Sequence, residues 1–329
     1  MRAVVLAARP EGEPKDSDFE IRELPDSEPA EGEVLVRNVF VSVDPYMRSR
    51  MTGVRTYVSG FAVGDEIDGG AVGRVVASRD PGFAEGDWVL SRLGWRDAGV
   101  APAASLRKLD PMLCPPSAAL GVLGMPGFTA WIGLEVVGRI QAAETVFVSG
   151  AAGAVGSAAA QIAKLRGCRV IGSAGSDEKV AWLRELGVEA FDYRDADYRG
   201  ELADGIDVYF DNVGGAQLEA ALSALRDNGR VVACGSISRY NDTEAAPGPR
   251  NFSYVVTKRL RIEGFIVSDH YARYGDFLAE VGPWVADGRL AYRETILDGL
   301  ENVPRAFAGL FHGDNVGKML VRVGPDEEG

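Results

Sequence analysis

The stretch TVFVSGAAGAVGSAAAQIAKLRG, residues 145 to 167, constrains the fold of this chain more than any other. A short apolar, β-branched run leads into a glycine turn, and an alanine-rich segment of helical period follows. Gly153 and Gly156 stand where the second and third glycines of a GxGxxG string would stand, with Ala151 in the first place. Chemistry asks for glycine there because backbone must approach a pyrophosphate with no Cβ in the way. The helix that follows aims unpaired N–H groups and the positive end of its dipole at the same phosphates. A glycine-rich turn alone is a weak signal, since many are only tight connections. Here a second strand, RVIGSAG, arrives on schedule, and the combination points to a dinucleotide held in a βαβ unit.

That second strand ends in an unusual way. An acidic residue at this place accepts hydrogen bonds from a free ribose 2′-OH and repels a 2′-phosphate. The apolar run instead stops in Gly172, Ser173, Ala174, Gly175 and Ser176. Small residues leave room for a phosphate. Ser176 is able to donate to it, Lys179 to supply charge, and Tyr193 or Arg194 to close the adenine side. Asp177 and Glu178 have a separate account as helix-start acids. The pattern favours NADP(H) over NAD(H).

From residue 1 to about 120 the chain shows short alternating or β-branched runs (AVVLA, EVLVRNVFVSV, GGAVGRVVAS, DWVLSR) between Gly, Pro and Asp turns, which predicts a mostly β domain. Near GMPGFTAWIGLEVVGRI, residues 124 to 140, the period turns helical. Strand-like and helix-like segments then alternate through DEKVAWLRELG, DVYFDNVGG, QLEAALSALRDNG, GRVVACGS and LRIEGFIVS. Such alternation predicts an α/β domain with a doubly wound parallel sheet and crossover helices, at about 121 to 290. GKMLVRV, near the C-terminus, is a lone strand able to complete the first domain and make it discontinuous. The loops 52 to 62 and 241 to 251 are expected to border the site.

Composition narrows the function classes. A net charge of −13 argues against nucleic acid, which demands clustered Lys and Arg. The N-terminus breaks into charge and proline after nine residues, so it reads as a strand rather than a signal or membrane segment. Cys114, Cys168 and Cys234 are scattered, which suits a reducing cytoplasm, and with only His270 and His312 besides, no metal site is expected. DEIDGGAVGRVVAS, residues 65 to 78, holds neither His nor Cys. What remains is hydride chemistry in which protein hydrogen bonds stabilise developing charge on a substrate oxygen, as in conjugate reduction of an enone.

DPYMRSRM (44 to 51), GMPGFTA (124 to 130), GAAGAVGS, IGSAGSDEKV, YFDNVGG (209 to 215), CGSISRYN (234 to 241) and KRLRIEGFIVSD (258 to 269) resemble, in order, the zinc-independent branch of the medium-chain dehydrogenase/reductase superfamily. Within it they are similar to the prostaglandin and leukotriene reductases, the plant alkenal reductases and the bacterial curcumin reductases. The resemblance implies a Rossmann fold plus a GroES-like domain. The GroES-like substrate and catalytic domain is placed at 1 to 120, the NADP-binding domain at 121 to 290, and the return to the catalytic domain at 291 to 329. It also implies NADPH-dependent reduction of the C=C bond of α,β-unsaturated ketones or aldehydes, and a homodimer.

Carried over by position, the resemblance puts the pyrophosphate on Ala152, Gly153, Ala154 and Val155, and the 2′-phosphate on Lys179 with Tyr193 beside it, next to the Gly175 and Ser176 already read from the strand end. Asn212 belongs to the crevice. Cys234, Gly235, Ile237, Phe265, Ile266 and Val267 line the nicotinamide, with Met125 and Thr129 on its other side and Asn315 as the last contact. Tyr46 and Tyr240 are the hydroxyls that would stabilise an enolate. Where eukaryotic members tend to carry a tyrosine, this chain has Thr257. A quinone reductase of the same branch is the alternative enzyme reading. A non-catalytic NADPH-binding protein is the reading from another class; Tyr46 and Tyr240 weigh against it.

Overall fold

The computed structural model describes residues 1–54 and 56–325. Arg55, within the loop 52 to 62, and residues 326–329 lie outside the described residues. The chain divides into two compact units. One comprises Met1–Leu120, Glu294–Asn315 and Met319–Gly329, the other Gly121–Arg293 and Val316–Lys318. The second edge therefore falls at 293 rather than the expected 290. The glycine-bearing residues Val316–Lys318 belong to the second unit although they follow a long excursion through the first.

The first unit is built on an antiparallel sheet. Glu33–Ser42 is its longest strand, paired on one side with Ala71–Ser78 and on the other with Lys318–Arg322, whose Leu320 stands opposite Ser42. The terminal strand GKMLVRV thus completes this sheet, which makes the unit discontinuous. Alternation explains its core: Val4, Leu6, Val41, Val43, Met47, Met51, Trp95 and Phe307 are all buried together. The strands Phe19–Glu23 and Ala98–Pro102 had no counterpart in the sequence reading.

The second unit carries six parallel strands: β1 Thr145–Val148, β2 Arg169–Ala174, β3 Glu189–Asp192, β4 Ile206–Asp211, β5 Leu225–Ala233 and β6 Arg261–Gly264. Their order is β3-β2-β1-β4-β5-β6, the doubly wound Rossmann arrangement. Strands covered on both faces read as continuous apolar runs, and Val146, Phe147, Val148, Val208, Tyr209 and Phe210 are all fully buried. Phe147 stacks on Tyr209 with ring centroids 5.0 Å apart. The helices that position the site are α1 Met125–Ile132, α2 Ala154–Leu165, α3 Asp177–Glu185 and α4 Gly215–Ala224.

Two boundaries differ from the sequence pattern. α1 passes at Gly133 into a π-helical stretch, Gly133–Gly138. Gly133 explains the tolerance for this packing, because a Cβ there would stand 2.5 Å from the Phe210 ring. The segment read as one helix to residue 229 breaks at Leu225, and LRDNG already belongs to β5. Asn228 takes φ +61° there, a conformation asparagine tolerates.

Candidate functional site

The strand order reverses between β1 and β4, so the ends of these neighbours open the crevice where ligands bind in such sheets. The turn after β1 starts on Gly150, at φ +57°. This corrects the expectation that Ala151 holds the first glycine place. Ala151 is fully buried, and Gly172 of β2 makes room for it: a Cβ at Gly172 would lie 2.8 Å from the Ala151 Cβ. The glycine pattern is therefore Gly150, Gly153, Gly156.

The three glycines do different work. At Gly156 a Cβ would come within 2.2 Å of the Gly150 carbonyl oxygen, so only glycine lets α2 pack this close to the turn. At Gly153, which caps α2, a Cβ would meet nothing nearer than the same oxygen at 3.3 Å. A Cβ on Gly150 would project into the crevice, 3.5 Å from Val213 Cγ2 and 3.8 Å from Asn212 Cβ. The first turn of α2 contains no acidic residue, which leaves its positive end uncompensated. A dinucleotide pyrophosphate fits this cradle. Ala152 to Val155 form its backbone, and it is braced from far along the chain: the Gly317 N–H donates to the Ala152 carbonyl at 2.8 Å.

Across the crevice the turn after β4 is locked by a buried carboxylate. Oδ1 of Asp211 accepts from the Tyr209 hydroxyl at 2.7 Å, the Gly214 N–H at 2.7 Å and the Val213 N–H at 3.0 Å, with the Ser149 hydroxyl at 3.3 Å. Burial still holds the Asp211 carboxyl above the usual range, and raises the Tyr209 hydroxyl strongly. Asn212 is tied to the β1 end by two bonds, its N–H to Ser149 Oγ at 2.9 Å and its side-chain amide to the Ser149 carbonyl at 2.8 Å. Sequence reasoning found Asn212 and missed Ser149, Tyr209 and Asp211. The polar residues ending two otherwise apolar strands were the available signal.

The segment after β5 hangs on this turn. Cys234 and Gly235 donate their N–H groups to the Asp211 carbonyl at 3.0 and 2.9 Å, and Ile237 donates to the Asn212 carbonyl at 3.2 Å. Tyr240 then folds back: its Oη accepts from the Ser236 N–H at 3.4 Å. Burial raises the Tyr240 hydroxyl above its ordinary range, and burial likewise pushes the Cys234 thiol up to about 12, so Cys234 is no thiolate at neutral pH. Phe265, Ile266 and Val267 lie beyond the end of β6 and are half-buried, which sets aside the reading of them as plain core strand. On α1, the buried Thr129 gives its hydroxyl to the Met125 carbonyl at 2.8 Å. Thr257 is exposed and its hydroxyl bonds back to Ser253.

At the end of β2, Ser176 caps α3, its Oγ accepting from the Lys179 N–H at 3.3 Å. The serine proton stays available for donation. The Tyr193 ring lies over Gly175, where a Cβ would approach it to 2.9 Å. Gly175, Ser176, Lys179 and Tyr193 thus form one cluster. Arg194 does not reach out beside them; its guanidinium is paired with Asp192 at 2.6 Å.

In the mostly β unit, Tyr46 begins a short helix, Met47–Arg50, and packs against the core. Arg50 grips Asp68 with both Nη atoms, donates through Nε to the Ser59 carbonyl at 2.8 Å and covers the Phe61 ring at 3.8 Å. Burial, then the Asp44 carboxylate, raises the Tyr46 hydroxyl above the tyrosine range. Asn315 is the last residue of this unit before the Val316–Lys318 segment.

Among the described residues no three His, Cys, Asp or Glu side chains gather into a group able to hold a metal ion, and no helix is long and apolar enough to cross a membrane. Residues 2–109 match the family model described as the N-terminal domain of oxidoreductase, and residues 154–281 the model described as zinc-binding dehydrogenase. The NADPH-dependent curcumin reductase of Escherichia coli is 43% identical, over 99% of this chain and 98% of that one. The NADP(+)-dependent 2-alkenal reductase of Nicotiana tabacum is also 43% identical, over 98% and 97%. The crystal structure of CurA from Vibrio vulnificus in complex with NADPH superposes with a TM-score of 0.93 at 41% identity, covering 99% of this chain and all of that one. The chain belongs to the medium-chain dehydrogenase/reductase superfamily, in the branch that holds the curcumin, alkenal and prostaglandin reductases.

Proposed function

We infer that this protein reduces the carbon–carbon double bond of α,β-unsaturated ketones or aldehydes with NADPH. The observation that carries the cofactor half is the end of β2, where Gly175 lies under the Tyr193 ring and Ser176 caps the helix that carries Lys179, with no carboxylate on the strand end itself. The reaction half rests on full-length likeness to reductases of curcumin and 2-alkenals. When bound, NADPH supplies the hydride that the substrate β-carbon accepts.

The residues of this chain do the rest. The first turn of α2 and the Gly153 backbone hold the pyrophosphate, and Lys179 with Ser176 holds the 2′-phosphate. The Asp211 lock fixes the Cys234–Ile237 segment that lines the nicotinamide, joined by Phe265 to Val267 and by Met125 and Thr129, with Asn315 as a further contact. Tyr46 and Tyr240 are assigned to the substrate oxygen. Their raised hydroxyls stay protonated at neutral pH, which makes them hydrogen-bond donors to the enolate. The first unit acts as the substrate and catalytic domain, the second as the NADP-binding domain. Catalysis without metal, a cytoplasmic setting and a homodimer belong to the same reading. The free edge of β6, with Ile262 38% exposed, supports a second copy there.

The test is a panel of alkenals, linear and cyclic enones and quinones, assayed with NADPH and NADH in parallel. Enone turnover with NADPH is expected. A preference for NADH would overturn the cofactor assignment, and turnover of quinones alone would move the protein to the quinone reductases.

A further inference from the structure

We propose that Arg194 sets the cofactor preference without touching the cofactor, by cancelling the Asp192 carboxylate next to the 2′-phosphate cluster. This rests on the NADPH reading above. Asp192 ends β3 in register with Ala174, the last residue of β2, so its Cα is one strand spacing from the chain that turns into Gly175 and Ser176. Its neighbour Tyr193 is the residue that covers Gly175. A carboxylate has therefore returned to this end of the site from the adjacent strand, at a position the sequence does not reveal.

Asp192 is also well held. Arg194 brings Nη2 to 2.6 Å and Nε to 3.1 Å, and its backbone N–H donates to Oδ1 at 2.9 Å. The Arg194 side chain is 55% exposed and Asp192 only 13%. The hydrogen bonds from Arg194 hold the Asp192 carboxyl below the usual carboxylate range. Asp195 adds a further negative charge in the same turn, and Asp177 and Glu178 lie at the exposed start of α3. Against these stand the cations Lys179 and Arg194 and, further along the same stretch, Arg199. Removing Arg194 would leave a fixed anion facing a dianionic phosphate; a 5′-phosphate nucleotide without the 2′ group would not register the change.

The experiment measures binding of 2′,5′-ADP and of 5′-AMP to the full chain by calorimetry at low salt, for wild type, Arg194→Ala, Asp192→Asn and the double variant. Asparagine keeps the acceptor for the Arg194 N–H. At a separation of about 10 Å in water-like dielectric, a lost charge opposite a dianion corresponds to roughly a fourfold change in affinity. Expected are about fourfold weaker 2′,5′-ADP binding in Arg194→Ala, equal or tighter binding in Asp192→Asn, near wild-type binding in the double variant, and unchanged 5′-AMP throughout. The differences should shrink in 0.5 M salt. If the pair merely holds the turn together, both single variants weaken both ligands alike, and the proposal fails. If wild type itself does not prefer 2′,5′-ADP, the cofactor reading fails instead.

Discussion

Adding one methyl group to Gly156 and one to Gly153 should separate folding from cofactor binding. At Gly156 the new Cβ stands 2.2 Å from the Gly150 oxygen, 2.8 Å from Ala151 Cα and 2.9 Å from Gly150 C, all backbone atoms. Ordinary contact begins near 3.4 Å, so α2 must withdraw from the turn by about 1.2 Å. Overpacking of this kind costs about 1–3 kcal/mol, offset by up to about 1 kcal/mol from the better helix propensity of alanine. In a chain of 329 residues a net loss of about 1–2 kcal/mol lowers the melting temperature by roughly 1.5–3 °C. Gly153→Ala faces only one contact at 3.3 Å, at an ordinary φ of −83°, and should cost about half a kcal/mol as a poorer cap. Its methyl occupies the cradle, however, so NADPH affinity should fall at least about tenfold. Thermal melts and NADPH titration by fluorescence give both quantities. Equal melting losses in the two variants, or full NADPH affinity in Gly153→Ala, would refute the division of labour among the glycines.

Lys179→Ala should weaken NADPH by about tenfold or more while leaving NADH unchanged, in line with loss of a charge-assisted hydrogen bond; parallel titrations check it. Tyr46→Phe and Tyr240→Phe should each lower kcat by about tenfold or more with NADPH binding intact, and full turnover in both would move the enolate contact off the tyrosines. Tyr46, Tyr209 and Tyr240 all have folded-state values above the ordinary one near 10. Their neutral forms are favoured by folding, so that stability is complete below about pH 10 and is lost as pH rises through the folded values. Melts between pH 8 and 12 should fall on the alkaline side, less steeply in Tyr209→Phe. Asp211→Ala strips the acceptor from the Val213 and Gly214 N–H groups and the Tyr209 hydroxyl, at about 1–3 kcal/mol for each group left buried; Asp211→Asn, which keeps an acceptor oxygen, should cost less in the same denaturant titration.

The sequence makes the Rossmann unit plain because its signals are local. β1, the glycine turn and α2 follow one another within a short segment, and the end of β2 carries its small residues in plain order. What escapes is set by packing between segments. Ala151 looks like a failed first glycine until Gly172 is seen beneath it. Arg194 looks like a residue that closes the adenine side until Asp192 is seen to occupy it. Apolar periodicity carried the LRDNG segment into a helix, whereas pairing of Ile206 with Leu225 draws it into the sheet. The roles of Tyr46 and Tyr240 come from likeness to a family, because no period or spacing fixes them, while the loop 241 to 251 is marked only by its Pro and Gly bias.

The Gly317 brace has a consequence for how the site comes into being. The bond from Gly317 to Ala152 closes a loop spanning about half the chain, and Gly317 is itself confined by its φ of +72° and by the Arg293 carbonyl, 1.9 Å from where a Cβ would stand. Closing so long a loop is slow and entropically opposed. During synthesis the phosphate cradle therefore stays an unbraced turn until the chain has reached Gly317, far beyond Ala152. Cofactor held in that cradle then favours chains in which Gly317, just before the strand Lys318–Arg322, has found its place.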